Sequence, residues 1–185
     1  MTAQPNRGSD RRALLLIDFQ RDFVEPGGRM PAAQNQIPTA LAAASRALAE
    51  AKAKGDLIVT IGNEFRPHDR LMNLLRRGAA IAGSEGARWT ERLEIEGAQY
   101  FAKWAGSAFV NPELENWLHK HRVTTLALCG LMARACVTAT AKDALAKGYK
   151  VQILSDAVAC YSDKSRNRAL ARLRARGAEI ISDAA

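Results

Sequence analysis

Cysteine is scarce in this 185-residue chain: there are three, an odd number with no close C-x-x-C pair. That excludes a disulfide-stapled scaffold and a cysteine-rich zinc site, and it points to a reduced, cytoplasmic setting. Long hydrophobic runs are missing too. The longest early one, "ALLLI" from Ala13, falls far short of the ~20 apolar residues that a membrane helix takes, so no membrane association is expected. Aromatic residues make up 6% of the chain and do not interleave with the basic ones, so nothing resembles a nucleic-acid-binding signature. The opening "MTAQPNRGSD" has no apolar h-region, and residues 1–11 are expected to form a flexible tail. Internal repeats, linkers and low-complexity segments are also lacking.

What the chain does contain is enough apolar residue, 48% against 25% charged, to fill the core of one domain over 12–185. Basic residues outnumber acidic ones, 27 to 19, for a formal charge of +8. Much of the excess sits in "KSRNRALARLRAR", where Ala169, Leu170 and Leu173 keep helical spacing. Such a segment is a solvated helix face with a buried stripe, and it supports binding to an anionic partner only weakly.

The apolar pattern alternates between two periods. "ALLLI" (Ala13 to Ile17) has no polar alternation, as in a strand covered on both faces. After the turn-rich "VEPGGRMP", the Ala- and Leu-dense segment from Ile37 to Lys54 is a helix closed by Gly55. A second strand runs from Leu57 to Ile61, which makes a βαβ unit. The stretch from Asn63 to Gln99 is irregular, with short helices at most. "QYFAK" is a short apolar piece ending at Lys103, and "NPELENWLHKH" is a helix with Pro112 in its first turn. Then follow a strand from Val123 to Cys129, a helix in "CVTATAKDALAKG", a strand in "YKVQILSDA", a helix from Ser165 to Arg176 and a strand in "AEIIS". The alternation predicts a three-layer α/β/α sandwich around a mostly parallel sheet of about six strands. Ligands of such sheets bind outside the carboxyl ends of the strands.

Three chemically distinct residues stand at strand exits: Asp18, Lys103 and, opening a helix, Cys136. Singly, each has an ordinary reading as a turn acid, a solvated lysine and a small buried residue. Together they can form one cleft. A thiol in a helix's first turn, near an ammonium, is expected to have a lowered pKa, and a carboxylate can carry its proton to a leaving group. Cys129 lies within an apolar strand and Cys160 in a turn; both are expected to be structural.

The blocks "LLLIDFQRDFVEPGG", "AKWAGSAF" and "LALCGLMARACVTATAKDALAKGYKVQILSDA", in this order, resemble the isochorismatase-like cysteine hydrolases, the superfamily that includes nicotinamidases, carbamoylsarcosine amidohydrolase and biuret hydrolases. The resemblance covers nearly the whole chain after the tail. It implies a Rossmann-like fold, a catalytic triad of Asp18, Lys103 and Cys136, and an oxyanion hole from the backbone N–H groups of Met132 and Cys136 beside a cis Leu131–Met132 peptide. It further implies attack by Cys136 on an amide carbonyl, a proton shuttle through Asp18 and a thioester hydrolysed by water, in a homodimer or homotetramer. Two departures stand out. Ala133 replaces a family Thr three residues before the cysteine. Asn63 and Phe65 occupy the places of the Asp-x-His metal cluster of nicotinamidases, and His68 alone cannot replace it. His119 and His121 sit on a polar helix end and are expected in solvent, so neither a metal nor another cofactor is expected.

Gln20, Phe23, Phe65, Trp104 and Arg134 are the candidate substrate-binding residues, and Arg66, Arg70 or Arg134 are candidates to clamp a substrate carboxylate. The leading expectation is a metal-independent cysteine amidohydrolase acting on a small carboxamide, urea-like or carbamoyl compound. An isochorismatase-type vinyl-ether hydrolase, which needs no thiol, and an inactive basic binding module are the alternatives.

Overall fold

In the computed structural model, residues 11–182 are described. The expected tail therefore lies outside them, except Arg11, which begins a strand. The strands are β1 (Arg11–Ile17), β2 (Leu57–Asn63), β3 (Gln99–Lys103), β4 (Val123–Gly130), β5 (Lys150–Val158) and β6 (Glu179–Ile181). The helices are α1 (Arg21–Val24), α2 (Ile37–Lys54), α3 (Arg70–Leu75), α4 (Pro112–Lys120), α5 (Thr138–Ala146) and α6 (Asp163–Arg174).

All six strands pair in parallel, in the order β3-β2-β1-β4-β5-β6. The expectation of a mostly parallel sheet thus becomes an entirely parallel one with helices on both faces. In this strand order, the right-handed rule for parallel connections places α2 on one face and α4, α5 and α6 on the other. The central strand explains the continuous apolar run in the sequence: Ala13 to Ile17 lie between β2 and β4 and are at most 1% exposed. Each such leucine, fully removed from water, contributes about 1.5–3 kcal/mol. α2 starts with Pro38 in its first turn and stops at Gly55, whose φ of 70° suits a residue without Cβ.

Several boundaries differ from the sequence pattern, and two of the differences matter for chemistry. β2 runs on past Ile61 to Asn63, because Gly62 and Asn63 keep pairing with Ala102 and Lys103 of β3. The helix after β4 does not open at Cys136: a π-helical turn, Ala133–Val137, precedes α5 and carries the cysteine within it. The segment between β2 and β3 is irregular as expected, with α3 and a 3₁₀ turn at Glu85–Ala87. Its shape is held by Asp22, whose carboxylate accepts the N–H groups of Arg29 (3.1 Å) and Ala80 (2.8 Å). α3 leaves Leu71, Leu74 and Leu75 largely in solvent.

The chain leaves β1 toward β2 on one side and β4 toward β5 on the other, so the crevice between the ends of β1 and β4 is the topological switch point. The two strands approach there so closely that a Cβ on Gly130 would lie 2.0 Å from the Ile17 carbonyl oxygen, and its φ is 127°. Gly130→Ala is therefore expected to destabilise the fold by more than about 3 kcal/mol, read as a shift of the urea-unfolding midpoint.

Candidate active site

The strand order brings the three candidate groups together. Asp18 follows β1 with a left-handed backbone, φ 57°, fixed by its N–H donating to the Ile61 carbonyl at 2.8 Å. Aspartate is one of the few side-chain-bearing residues that tolerates this region. Lys103 ends β3, two strands away, and is fully buried. Its ammonium lies 3.0 Å from Asp18 Oδ2 and 3.2 Å from Cys136 Sγ, and donates to the Ala105 carbonyl at 3.2 Å.

Asn63, in the strand between them, ties these groups into one network. Its Nδ2 donates to Asp18 Oδ2 at 2.8 Å and lies 3.8 Å from Cys136 Sγ, while its Oδ1 accepts from Lys103 Nζ at 2.6 Å. Gln20 in turn clamps the Asn63 backbone: its Oε1 accepts the Asn63 N–H at 2.8 Å, and its Nε2 donates to the Asn63 carbonyl at 2.8 Å and to the Ala87 carbonyl at 2.6 Å. Gln20, read from the sequence as a substrate contact, is spent on this clamp and does not line the cavity.

The electrostatics correct one expectation. Burial, with the Asp18 carboxylate adding to it and Lys103 offsetting it only partly, pushes the Cys136 thiol up to about 11. A thiolate was expected from a helix N-terminus, but the sulfur sits buried in a π-turn where the Asp18 carboxylate opposes the Lys103 ammonium. Burial also raises the Asp18 pKa, with Lys103 pulling it down. For Lys103, burial alone would lower the pKa, but Asp18 and Cys136 together hold it above the ordinary lysine value. The 3.0 Å contact between Lys103 and Asp18 fits an ammonium–carboxylate pair, and the raised thiol pKa favours a neutral Cys136 beside it. Asp18 Oδ1, buried, has no hydrogen-bond partner, which leaves it free to take a proton.

The peptide between Leu131 and Met132 is cis. In the turn that follows, the N–H groups of Ala135 and Val137 both donate to the Met132 carbonyl and that of Ala133 donates to the Ala159 carbonyl. Those of Met132 and Cys136 donate to no backbone acceptor outside the turn among the described residues. Ala133 is buried, and its carbonyl accepts the Thr138 hydroxyl at 2.5 Å. The alanine methyl is thus enclosed, and the Thr138 hydroxyl ties the turn at the Ala133 carbonyl.

Cys136 opens onto a cavity of about 190 Å³. Its base holds Asp18, Asn63 and Cys136; Phe23, Met30, Phe65, Leu131 and Met132 form apolar walls, and the partly exposed Arg76 and Tyr161 stand at its more open side. Phe23 and Phe65 are thus placed as the sequence suggested. Trp104 and Arg134 are not: Trp104 points away under the Arg66 guanidinium, 5.5 Å from its ring centre, and Arg134 lines a separate surface cleft with Arg168 and Arg172. The reason for Trp104 is strand alternation, which turns the residue after an inward Lys103 outward. Arg70 is exposed on α3 and outside the cavity. Cys129 and Cys160 are buried in the core. His121 is not free in solvent, since its ring lies 4.1 Å from that of Trp117 and its Nδ1 is 2.8 Å from the Trp117 carbonyl.

The residues at the end of β2 and just beyond it do not fit a metal. Asn63 spends both ends of its amide on Lys103 and Asp18, Phe65 offers only hydrocarbon, and no cluster of three or more His, Cys, Asp or Glu suited to an ion occurs among the described residues. Asn63, Arg76, Met30 and Tyr161 escaped the sequence reading. For Asn63 a signal existed, its position at the end of a strand, but that strand's place between β1 and β3 is not written in local pattern.

Comparison with known proteins agrees with the fold. An isochorismatase domain family model matches residues 12–185. A probable inactive nicotinamidase of Arabidopsis thaliana is 30% identical over 160 residues, covering 80% of each chain. The crystal structure of an isochorismatase-like hydrolase from Alkaliphilus metalliredigens superposes with a TM-score of 0.85 at 26% identity, covering 93% of this chain and 94% of that one. That of nicotinamidase from Bacillus subtilis gives 0.84 at 26%, covering 94% and 100%.

With a thiol pKa raised by Asp18, the rate of Cys136 alkylation by iodoacetamide should keep rising about tenfold per pH unit well above neutrality. Asp18→Asn should speed it at pH 8, because a carboxylate opposing the thiolate is gone; peptide mass spectrometry against the buried Cys129 and Cys160 reads the site. A slower rate in Asp18→Asn would show that the carboxylate does not oppose the thiolate.

Proposed function

Since the chain belongs to the isochorismatase family of hydrolases, we propose that it cleaves the C–N bond of a small carboxamide, urea-like or carbamoyl compound through a thioester on Cys136. The observation that carries this reading is Lys103 Nζ standing between Asp18 Oδ2 (3.0 Å) and Cys136 Sγ (3.2 Å) at the base of a mostly apolar cavity.

The reaction begins from the neutral thiol. As Sγ bonds to the amide carbonyl carbon, its proton passes to Asp18, whose burial makes it a stronger base than an ordinary carboxylate. The carbonyl oxygen becomes an oxyanion and takes hydrogen bonds from the N–H groups of Met132 and Cys136, a contribution whose loss costs about a hundredfold or more in rate. Asp18 returns the proton to the nitrogen, the C–N bond breaks, and amine or ammonia departs. A water then gives one proton to Asp18 while its oxygen attacks the thioester carbon. The C–S bond breaks, the acid product leaves, and Asp18 reprotonates the sulfur. Lys103 keeps its proton throughout and balances the negative charge as it moves between Asp18, sulfur and oxyanion.

Asn63 is a positioning residue in this scheme, holding Asp18 and Lys103 at the separation that the proton transfer needs. The thiol argues against vinyl-ether hydrolysis, in which protonation and water attack suffice. The probable inactive relative makes loss of activity the reading to be tested against.

Ammonia or amine release across a panel of small amides, ureas and carbamoyl compounds should identify substrates for which Cys136→Ala loses about a thousandfold or more in kcat/KM. Full activity in Cys136→Ala would refute the nucleophile. Turnover of isochorismate with no amide hydrolysed would select the vinyl-ether reading, and silence on both, with salt-sensitive retention on nucleic acid, the inactive basic module. In the same panel, Asn63→Ala should lower kcat about tenfold to a hundredfold with a smaller change in KM.

A further inference from the structure

Arg76 enters the reaction cavity from the C-terminal end of α3. Its guanidinium carbon lies 3.8 Å from the centre of the Phe65 ring, and Phe65 itself lines the cavity. Stacking of this kind holds the planar group flat on the ring and leaves the N–H edge open. Arg76 makes no ion pair with any described carboxylate. The one carboxylate in the same cavity, Asp18, is held by Lys103 and Asn63. The chain thus places a cation without an ion-pair partner against Phe65 in a cavity whose walls are mostly apolar, where water screens it less than on the open surface.

We propose that Arg76 is the specificity residue of this site and that the substrate is an anionic amide, one bearing a carboxylate joined to the scissile amide, urea or carbamoyl group by a short, largely apolar connection. The guanidinium edge takes the carboxylate in a two-bond fork, Phe65 and Phe23 cover the connecting carbons, and the carbonyl is left over Cys136. At about 190 Å³ the cavity is smaller than the ~300 Å³ at which drug-sized ligand sites begin, which limits the substrate to a small metabolite. The three arginines named from the sequence lie elsewhere, on Trp104, on the exposed face of α3 and in the cleft beside α6. This inference rests on the amidohydrolase reading for its substrate but not for the anion preference itself.

Two measurements separate those parts. Cys136 is alkylated with iodoacetate and with iodoacetamide, an anionic and a neutral reagent of nearly equal size, in wild type, Arg76→Gln and Arg76→Lys, with the modified peptide quantified. The iodoacetate-to-iodoacetamide rate ratio should fall about tenfold in Arg76→Gln and stay within about threefold of wild type in Arg76→Lys. Because each ratio is internal to one protein, a uniform change in thiol reactivity cancels; a circular-dichroism melt confirms that Arg76→Gln is folded, and an unchanged ratio in it overturns the proposal. In parallel, carboxylate-bearing amides are compared with their neutral methyl esters. The kcat/KM preference for the anion should fall at least tenfold in Arg76→Gln, mostly through KM. A wild-type preference for the neutral esters overturns the proposal as well. If the alkylation ratio shifts while no amide is hydrolysed, the anion site stands and the amidohydrolase reading is what fails.

Discussion

The buried ion pair of Asp18 with Lys103 is the constraint around which the rest of the site is arranged. Two opposite charges removed from water are tolerated only when their remaining hydrogen-bonding capacity is met, and losing one partner costs about 3–5 kcal/mol. Here Asn63 donates to the carboxylate and accepts from the ammonium, the Ala105 carbonyl takes another ammonium proton, and Gln20 holds the Asn63 backbone. One oxygen is left without a partner, Asp18 Oδ1. In a network otherwise satisfied, that vacancy is where a proton can go.

The pair also sets the state of the sulfur. An exposed cysteine beside an ammonium would ionise easily, but at this depth burial and the carboxylate both favour the thiol, which reaches about 11. Nucleophile and base are therefore poised as a neutral acid next to an anion, and the thiolate forms only as it is consumed. A permanently ionised cysteine would be open to oxidation and stray alkylation. The apolar walls act on Arg76 in the same direction as on Lys103, though less strongly because Arg76 is only partly buried.

The alternating pattern of the sequence was enough for the α/β class, for most strands to within two residues and for the position of Asp18, Lys103 and Cys136 at strand exits. It was not enough for the π-turn, since π and α turns share the same residue types, nor for the extension of β2 through Asn63, which depends on pairing with β3. The substrate-side residues were read least well. Trp104 and Arg134 are neighbours of triad residues in the chain but do not line the cavity, whereas Arg76, far from any motif, reaches it because Asp22 folds the irregular segment back by accepting the Ala80 N–H.

Local chemistry written in the sequence therefore determined the elements and the identity of the reacting groups: apolar runs make buried strands, and an acid, an amine and a thiol follow three of them. Only the tertiary structure decided that β2 lies between β1 and β3, which turns Asn63 from an incomplete metal ligand into the bridge between Asp18 and Lys103. It also decided the charge state of Cys136 and which arginine faces the substrate. Both depend on dielectric and on distances between residues remote in sequence, and these do not exist until the chain has folded.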